Sequence, residues 1–174
     1  VIIFVYRAFA ICPQKNGERP KDAVGVILNI GRIRMKYAVR TMMKIAKAMA
    51  ENSTCQRLSV GCVITSEDNL ILGCGFNGSP KGLPHCEDDC EEAVPGGCRC
   101  VHAEVNAILH SNADFRSSKK AYITVSPCLQ CAKALVTFGV KTIYYGTEYR
   151  GFEETRDFLT LANVELCKYD ISVI

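Results

Sequence analysis

A single α/β domain, with a mixed sheet covered by helices on both faces, is what this sequence predicts. Three observations lead there. The chain has 174 residues, 48 % apolar and 22 % charged, the length and balance of one globular domain with a substantial core. From Lys120 onward, short β-like runs alternate with segments of helical period, the pattern of strand–helix–strand units and hence of parallel pairing. Ahead of them, two apolar runs flank the polar turn Ser66-Glu67-Asp68-Asn69, which adds an antiparallel hairpin and makes the sheet mixed.

The elements follow in order. Met35–Glu51 places Val39, Met42, Met43, Ala46, Met49 and Ala50 at helical spacing, giving one buried face. Asn52-Ser53 ends that helix. Ser59–Thr65 and Leu70–Phe76 are the hairpin strands. Residues 77–100 form a long irregular stretch rich in glycine, proline, acid and cysteine; a loop of that length inside a domain is usually functional or cross-linked. His102–Asn112 reads as a helix, Lys120–Val125 as a strand, and Cys128–Phe138 as a helix stopped by Gly139. Lys141–Gly146, Phe152–Ala162 and Val164–Tyr169 complete the chain as strand, helix and strand. Five strands result.

Residues 1–34 carry six basic and two acidic side chains, whereas residues 35–174 carry fifteen and sixteen. The main body therefore lacks the global positive charge that a polynucleotide backbone selects. No apolar run approaches the ~20 residues that span a bilayer. Val1–Ala10 is apolar but broken by Arg7, and has neither a basic lead-in nor a small-residue cleavage site, so it does not read as a signal peptide. Residues 1–34 are read as a poorly ordered extension, with Met35 a candidate native start. Eleven cysteines are odd in number and sit in an apolar-rich chain, which favours metal ligands and small core residues in a reducing, cytoplasmic setting over a disulfide framework. Cys62, Cys74 and Cys167 fall on predicted strands and read as core; Cys12 supports no reading.

Two stretches carry chemistry. Cys100-Val101-His102-Ala103-Glu104 and Ser126-Pro127-Cys128-Leu129-Gln130-Cys131 together give His-x-Glu followed by Pro-Cys-x-x-Cys, a zinc-deaminase signature. Cys128 and Cys131 are three apart, so at a helix start both thiolates face one way. His102 and Glu104 converge only if His102 sits at the opening of its helix. Two helix N-termini then point at one metal and favour its anionic ligands. One imidazole and two thiolates leave a fourth tetrahedral position open, where water ionises near pH 7, roughly. Glu104 is then a proton shuttle that does not bind the metal: it takes the water's proton, delivers it to a ring nitrogen, and helps ammonia leave. The substrate must be an aminated heterocycle.

On these motifs, and on Ser53-Thr54-Cys55-Gln56-Arg57-Leu58, Gly75-Phe76-Asn77-Gly78-Ser79-Pro80 and the His85-Cys86 loop, residues 35–174 resemble the cytidine and deoxycytidylate deaminase superfamily. The nearest likeness is to phage and bacterial dCMP deaminases. The resemblance implies a three-layer α/β/α fold and a zinc-dependent conversion of dCMP to dUMP that supplies thymidylate. It also implies a homo-oligomer, often a hexamer, and in many members activation by dCTP with Mg2+ and inhibition by dTTP. It assigns Asn77 to the sugar hydroxyl, although Asn-Gly is also a strong turn former. It offers Arg57 as a clamp on the 5′-phosphate and Tyr149 as a neighbour of that phosphate; solvated surface side chains are the alternatives. Similar phage and bacterial enzymes hold a second, structural zinc. Here Cys55, Cys86, Cys90 and Cys98 are the candidate ligands, with His85 or Cys100 as substitutes, and free thiols or a disulfide as alternatives. The Glu87-Asp88-Asp89 segment between Cys86 and Cys90 is more acidic and a residue shorter than that pattern expects.

Three rival readings share parts of the signature. A tRNA-editing adenosine deaminase carries the same zinc pair but should show clustered Lys and Arg around its pocket. A free-base or riboflavin-pathway deaminase needs no phosphate clamp. A zinc-stabilised binding module would not need Glu104.

Overall fold

The computed structural model describes the backbone of residues 23–86 and 99–174 and the side chains of residues 37–86 and 99–174. The elements are α1 (Ala23–Ala50), β1 (Gly61–Ser66), β2 (Ile71–Phe76), α2 (Ala103–Leu109), β3 (Lys119–Val125), α3 (Leu129–Thr137), β4 (Val140–Thr147), α4 (Phe152–Leu161), β5 (Glu165–Lys168) and a closing 3-10 turn, Ile171–Val173. This is the expected order. One boundary differs substantially: α1 begins at Ala23, not Met35. Gly25 and Gly31 weaken the helical signal there, yet a helix already nucleated by the following turns extends at little cost.

The sheet runs β2-β1-β3-β4-β5. β1 pairs antiparallel with both β2 and β3, whereas β3–β4 and β4–β5 are parallel. β1, β3 and β4 are buried almost without interruption, as strands covered on both faces must be. One face packs on α1 through Val39, Met42, Met43 and Ala46 against Val63, Tyr122, Tyr144 and Cys167. The other packs on α2, α3 and α4 through Ala103, Ala107, Ala132, Leu135 and Leu159 against Cys62, Ile64, Ala121, Ile123 and Ile143. The expected three layers are present. Cys62 and Cys167 are core, and Cys74 is half-buried on β2.

Two glycines fix helix positions. A Cβ on Gly75 would lie 2.4 Å from both Ala103 O and Ala107 N, so only glycine lets α2 press against β2. Gly139 takes φ +92° and turns the chain out of α3 into β4.

The register decides where a site can form. Gly61, at the start of β1, pairs with Phe76 at the end of β2, and Val125, at the end of β3, pairs with Thr147 at the end of β4. Because β1 is antiparallel to β3, all four of these termini lie along one edge of the sheet. The carboxyl ends of parallel strands are where α/β proteins gather ligands.

Candidate active site

His102 and Cys128 are the N-cap residues of α2 and α3, both in extended conformation. Each therefore sits where the chain leaves the sheet edge and enters a helix. Cys131 follows in the first turn of α3 and is 2 % exposed. The His102 Nδ1 lies 3.3 Å from Cys131 Sγ and 3.6 Å from Cys128 Sγ, and the three donor atoms all lie within 4.8 Å of one another. Ligand atoms sharing one tetrahedral zinc stand roughly 3.5–3.8 Å apart, so this cluster fits zinc. Among the described residues it is the one group of three or more such donors.

The charges agree. The Cys128 thiol is held down to about 3, chiefly by a hydrogen bond from Cys131, and then by one from His102, against its own burial. Cys131 moves the other way, because its thiol hydrogen-bonds to the Cys128 sulfur and is buried. A site that already stabilises one thiolate is ready for a cation.

Glu104 is 4 % exposed, on the first turn of α2. Burial raises its carboxyl above the usual range; its own backbone N–H and the nearby His102 partly offset this. These groups meet a cavity of about 500 Å³. His102, Glu104 and Cys128 form its inner wall, with Val125 and Ser126 from the end of β3. Arg57, Asn77 and Tyr149 line the same cavity, so all three residues expected at the substrate face it. Tyr149 is held by its backbone N–H, which donates to the buried Ser126 Oγ at 2.8 Å.

Of the candidates for a second zinc, Cys86 lies beside one of the substitutes, Cys100, their sulfurs 3.3 Å apart. Cys55 lines the cavity and does not join Cys86 and Cys100 in a three-donor group among the described residues. Cys90, Cys98 and the acidic segment after Cys86 lie outside the described residues. Sequence reasoning overlooked Thr147 and Glu148 as cavity-lining residues; their position at and just after the end of a parallel strand was the available signal.

The sequence pattern of the cytidine and deoxycytidylate deaminase zinc-binding region matches residues 36–147. The chain belongs to this family. Among curated relatives of this deaminase domain, the ComE operon protein 2 of Bacillus subtilis is 38 % identical over 119 residues, 67 % of this chain and 62 % of that protein. The deoxycytidylate deaminase of Schizosaccharomyces pombe is 32 % identical over 153 residues, 82 % of this chain and 47 % of the other. The chain thus spans less than two thirds of either relative. A dCMP deaminase of the cyanophage S-TIM5, solved in complex with dCMP and dUMP, superposes with a TM-score of 0.63 at 31 % identity, covering 79 % of this chain and 97 % of that one. No helix among the described residues is long and apolar enough to cross a membrane.

Proposed function

We propose that this chain catalyses the hydrolytic deamination of dCMP to dUMP and ammonia. The observation that carries the reading is that His102, Cys128 and the buried Glu104, with Cys131 beside them, meet a cavity that Arg57 and Asn77 also line. The cyanophage relative supports the choice of nucleotide, since its complex contains dCMP and dUMP.

In this reading His102 Nδ1 and the two sulfurs hold Zn2+, which when bound makes a water nucleophilic near neutral pH. Glu104 accepts that water's proton and passes it to the pyrimidine ring nitrogen, then carries the remaining proton of the added hydroxyl to the departing amine. Water oxygen becomes the carbonyl oxygen, the carbon–nitrogen bond breaks, and ammonia leaves. Asn77 reaches the sugar hydroxyl; Arg57 and Tyr149 bind the 5′-phosphate. The cavity's lining mixes Arg57 and Arg150 with Glu148, a poor surface for a polynucleotide backbone and an adequate one for a single phosphate.

The wider proposal includes a second, structural zinc drawing on Cys86 with Cys55, Cys90, Cys98 or Cys100, a cytoplasmic homo-oligomer, and control by dCTP with Mg2+ and by dTTP. The zinc-loaded chain should turn over dCMP faster than CMP, deoxycytidine or a tRNA anticodon stem-loop, measured by ammonia release. Failure to deaminate dCMP with zinc bound would overturn the assignment.

A further inference from the structure

Between α1 and β1 the chain crosses the cavity rim with no regular secondary structure over residues 53–60. This segment carries Arg57 and Leu58 into the cavity lining. What fixes it is the side chain of Asn77. Asn77 Oδ1 accepts from Val60 N–H at 2.8 Å and from the Ser53 hydroxyl at 2.7 Å, while Asn77 Nδ2 donates to Leu58 O at 2.7 Å. The amide orientation is determined by these partners: flipped, it would set an NH2 against the Val60 N–H and an oxygen against the Leu58 carbonyl. The Ser53 hydroxyl also reaches Asn77 O at 2.9 Å, and it accepts from Cys55 N–H at 3.2 Å. Thr54 N–H donates to the same Asn77 carbonyl at 3.3 Å.

Two consequences follow. Asn77 has its oxygen and one amide hydrogen committed within the protein, so one N–H remains for a ligand; a sugar hydroxyl meeting Asn77 meets it as an acceptor. And Ser53, which does not itself line the cavity, sits at the hinge of the segment. We infer that Ser53 is a positioning residue: through Asn77 it holds the 53–60 segment in the conformation that presents Arg57, and so sets affinity for the phosphate end of the substrate. This rests on the proposed dCMP reading. The Ser53-Thr54-Cys55-Gln56-Arg57-Leu58 stretch carries part of the family resemblance without giving this serine a role, and the role is read from the contacts at its hydroxyl.

The test compares Ser53→Ala and Ser53→Thr with the parent enzyme, all zinc-loaded. On dCMP, Ser53→Ala should lower kcat/KM about tenfold, through KM, with kcat within about twofold, the size of effect one lost hydrogen bond carries. On deoxycytidine, which lacks the phosphate, kcat/KM should change less than about twofold. Ser53→Thr, which keeps the hydroxyl, should restore the dCMP value. Hydrogen exchange of the amides in residues 53–60 should accelerate in Ser53→Ala, and zinc content should stay unchanged. Equal losses on both substrates, or unchanged exchange in 53–60, would overturn the positioning role. The exchange measurement needs no substrate. It therefore judges the latch even if the parent enzyme prefers another nucleotide, an outcome that would count against the dCMP reading instead.

Discussion

The cavity is held in two different ways. Its inner wall stands on secondary structure: the metal donors and Glu104 occupy the first residues of α2 and α3, and those helices rest on a sheet buried on both faces. The part of its lining that holds Arg57 and Asn77, a second wall, stands on side-chain hydrogen bonds among loops, with the Asn77 amide at their centre. Chemistry that tolerates little displacement is assigned to the packed wall. Recognition of a flexible, charged group is assigned to the bonded one. Substitutions in the first wall should therefore act on turnover and metal, and those in the second on KM.

The largest effect expected is at Glu104. Glu104→Gln keeps the shape and removes the proton carrier, and turnover should fall about a thousandfold while elemental analysis finds zinc retained. Gly75→Ala comes next. Its Cβ would press on Ala103 O and Ala107 N at 2.4 Å, and both are backbone atoms that cannot rotate away. Stability should drop by roughly 1–3 kcal/mol in urea unfolding, and zinc affinity should fall with it because α2 carries His102. Arg57→Gln belongs to the other wall: KM for dCMP should rise about tenfold with kcat nearly unchanged, the increase shrinking at high salt because Arg57 is exposed. The smallest is Asn106→Ala. Asn106 Nδ2 donates to Phe76 O at 2.7 Å and ties α2 to the residue before Asn77, so it joins the two walls. Its loss should cost about 1 kcal/mol and affect kcat and KM together. A KM effect confined to dCMP in Gly75→Ala, or a zinc loss in Arg57→Gln, would break the division between the walls.

The packed wall was the legible one. His102, Glu104, Cys128 and Cys131 are chemically distinctive residues at fixed spacings, each beside a change from loop to helical period, so the sequence places them on helix starts without knowledge of their neighbours. The hairpin, β3, β4 and α4 were readable for the same reason, their period being local. The bonded wall was legible in its charged members and hidden in its connections. Ser53 and Asn106 are ordinary polar residues whose partners lie 24 and 30 positions away, a separation that no local pattern reports. Lys119 was hidden by its chemistry. It is fully buried, and its ammonium donates to Asp114 O and to Ser117 O and Oγ while lying 4.7 Å from the Phe138 ring centroid. A lysine at the start of a strand reads as solvated until the loop that folds over it is known. The neighbouring sulfurs of Cys86 and Cys100 lie 14 positions apart, likewise beyond what a local pattern reports.

Neither α2 nor α3 has a side-chain cap: the positions that serine, threonine or aspartate commonly fill are given over to His102 and Cys128, forgoing about 1 kcal/mol at each. Metallation and the order of these two helix starts are thereby one equilibrium. A chelator should make the chain cleavable by protease first at residues 100–104 and 126–131, with the strands yielding only later, so that zinc starvation in a cell would cost this protein its lifetime along with its turnover.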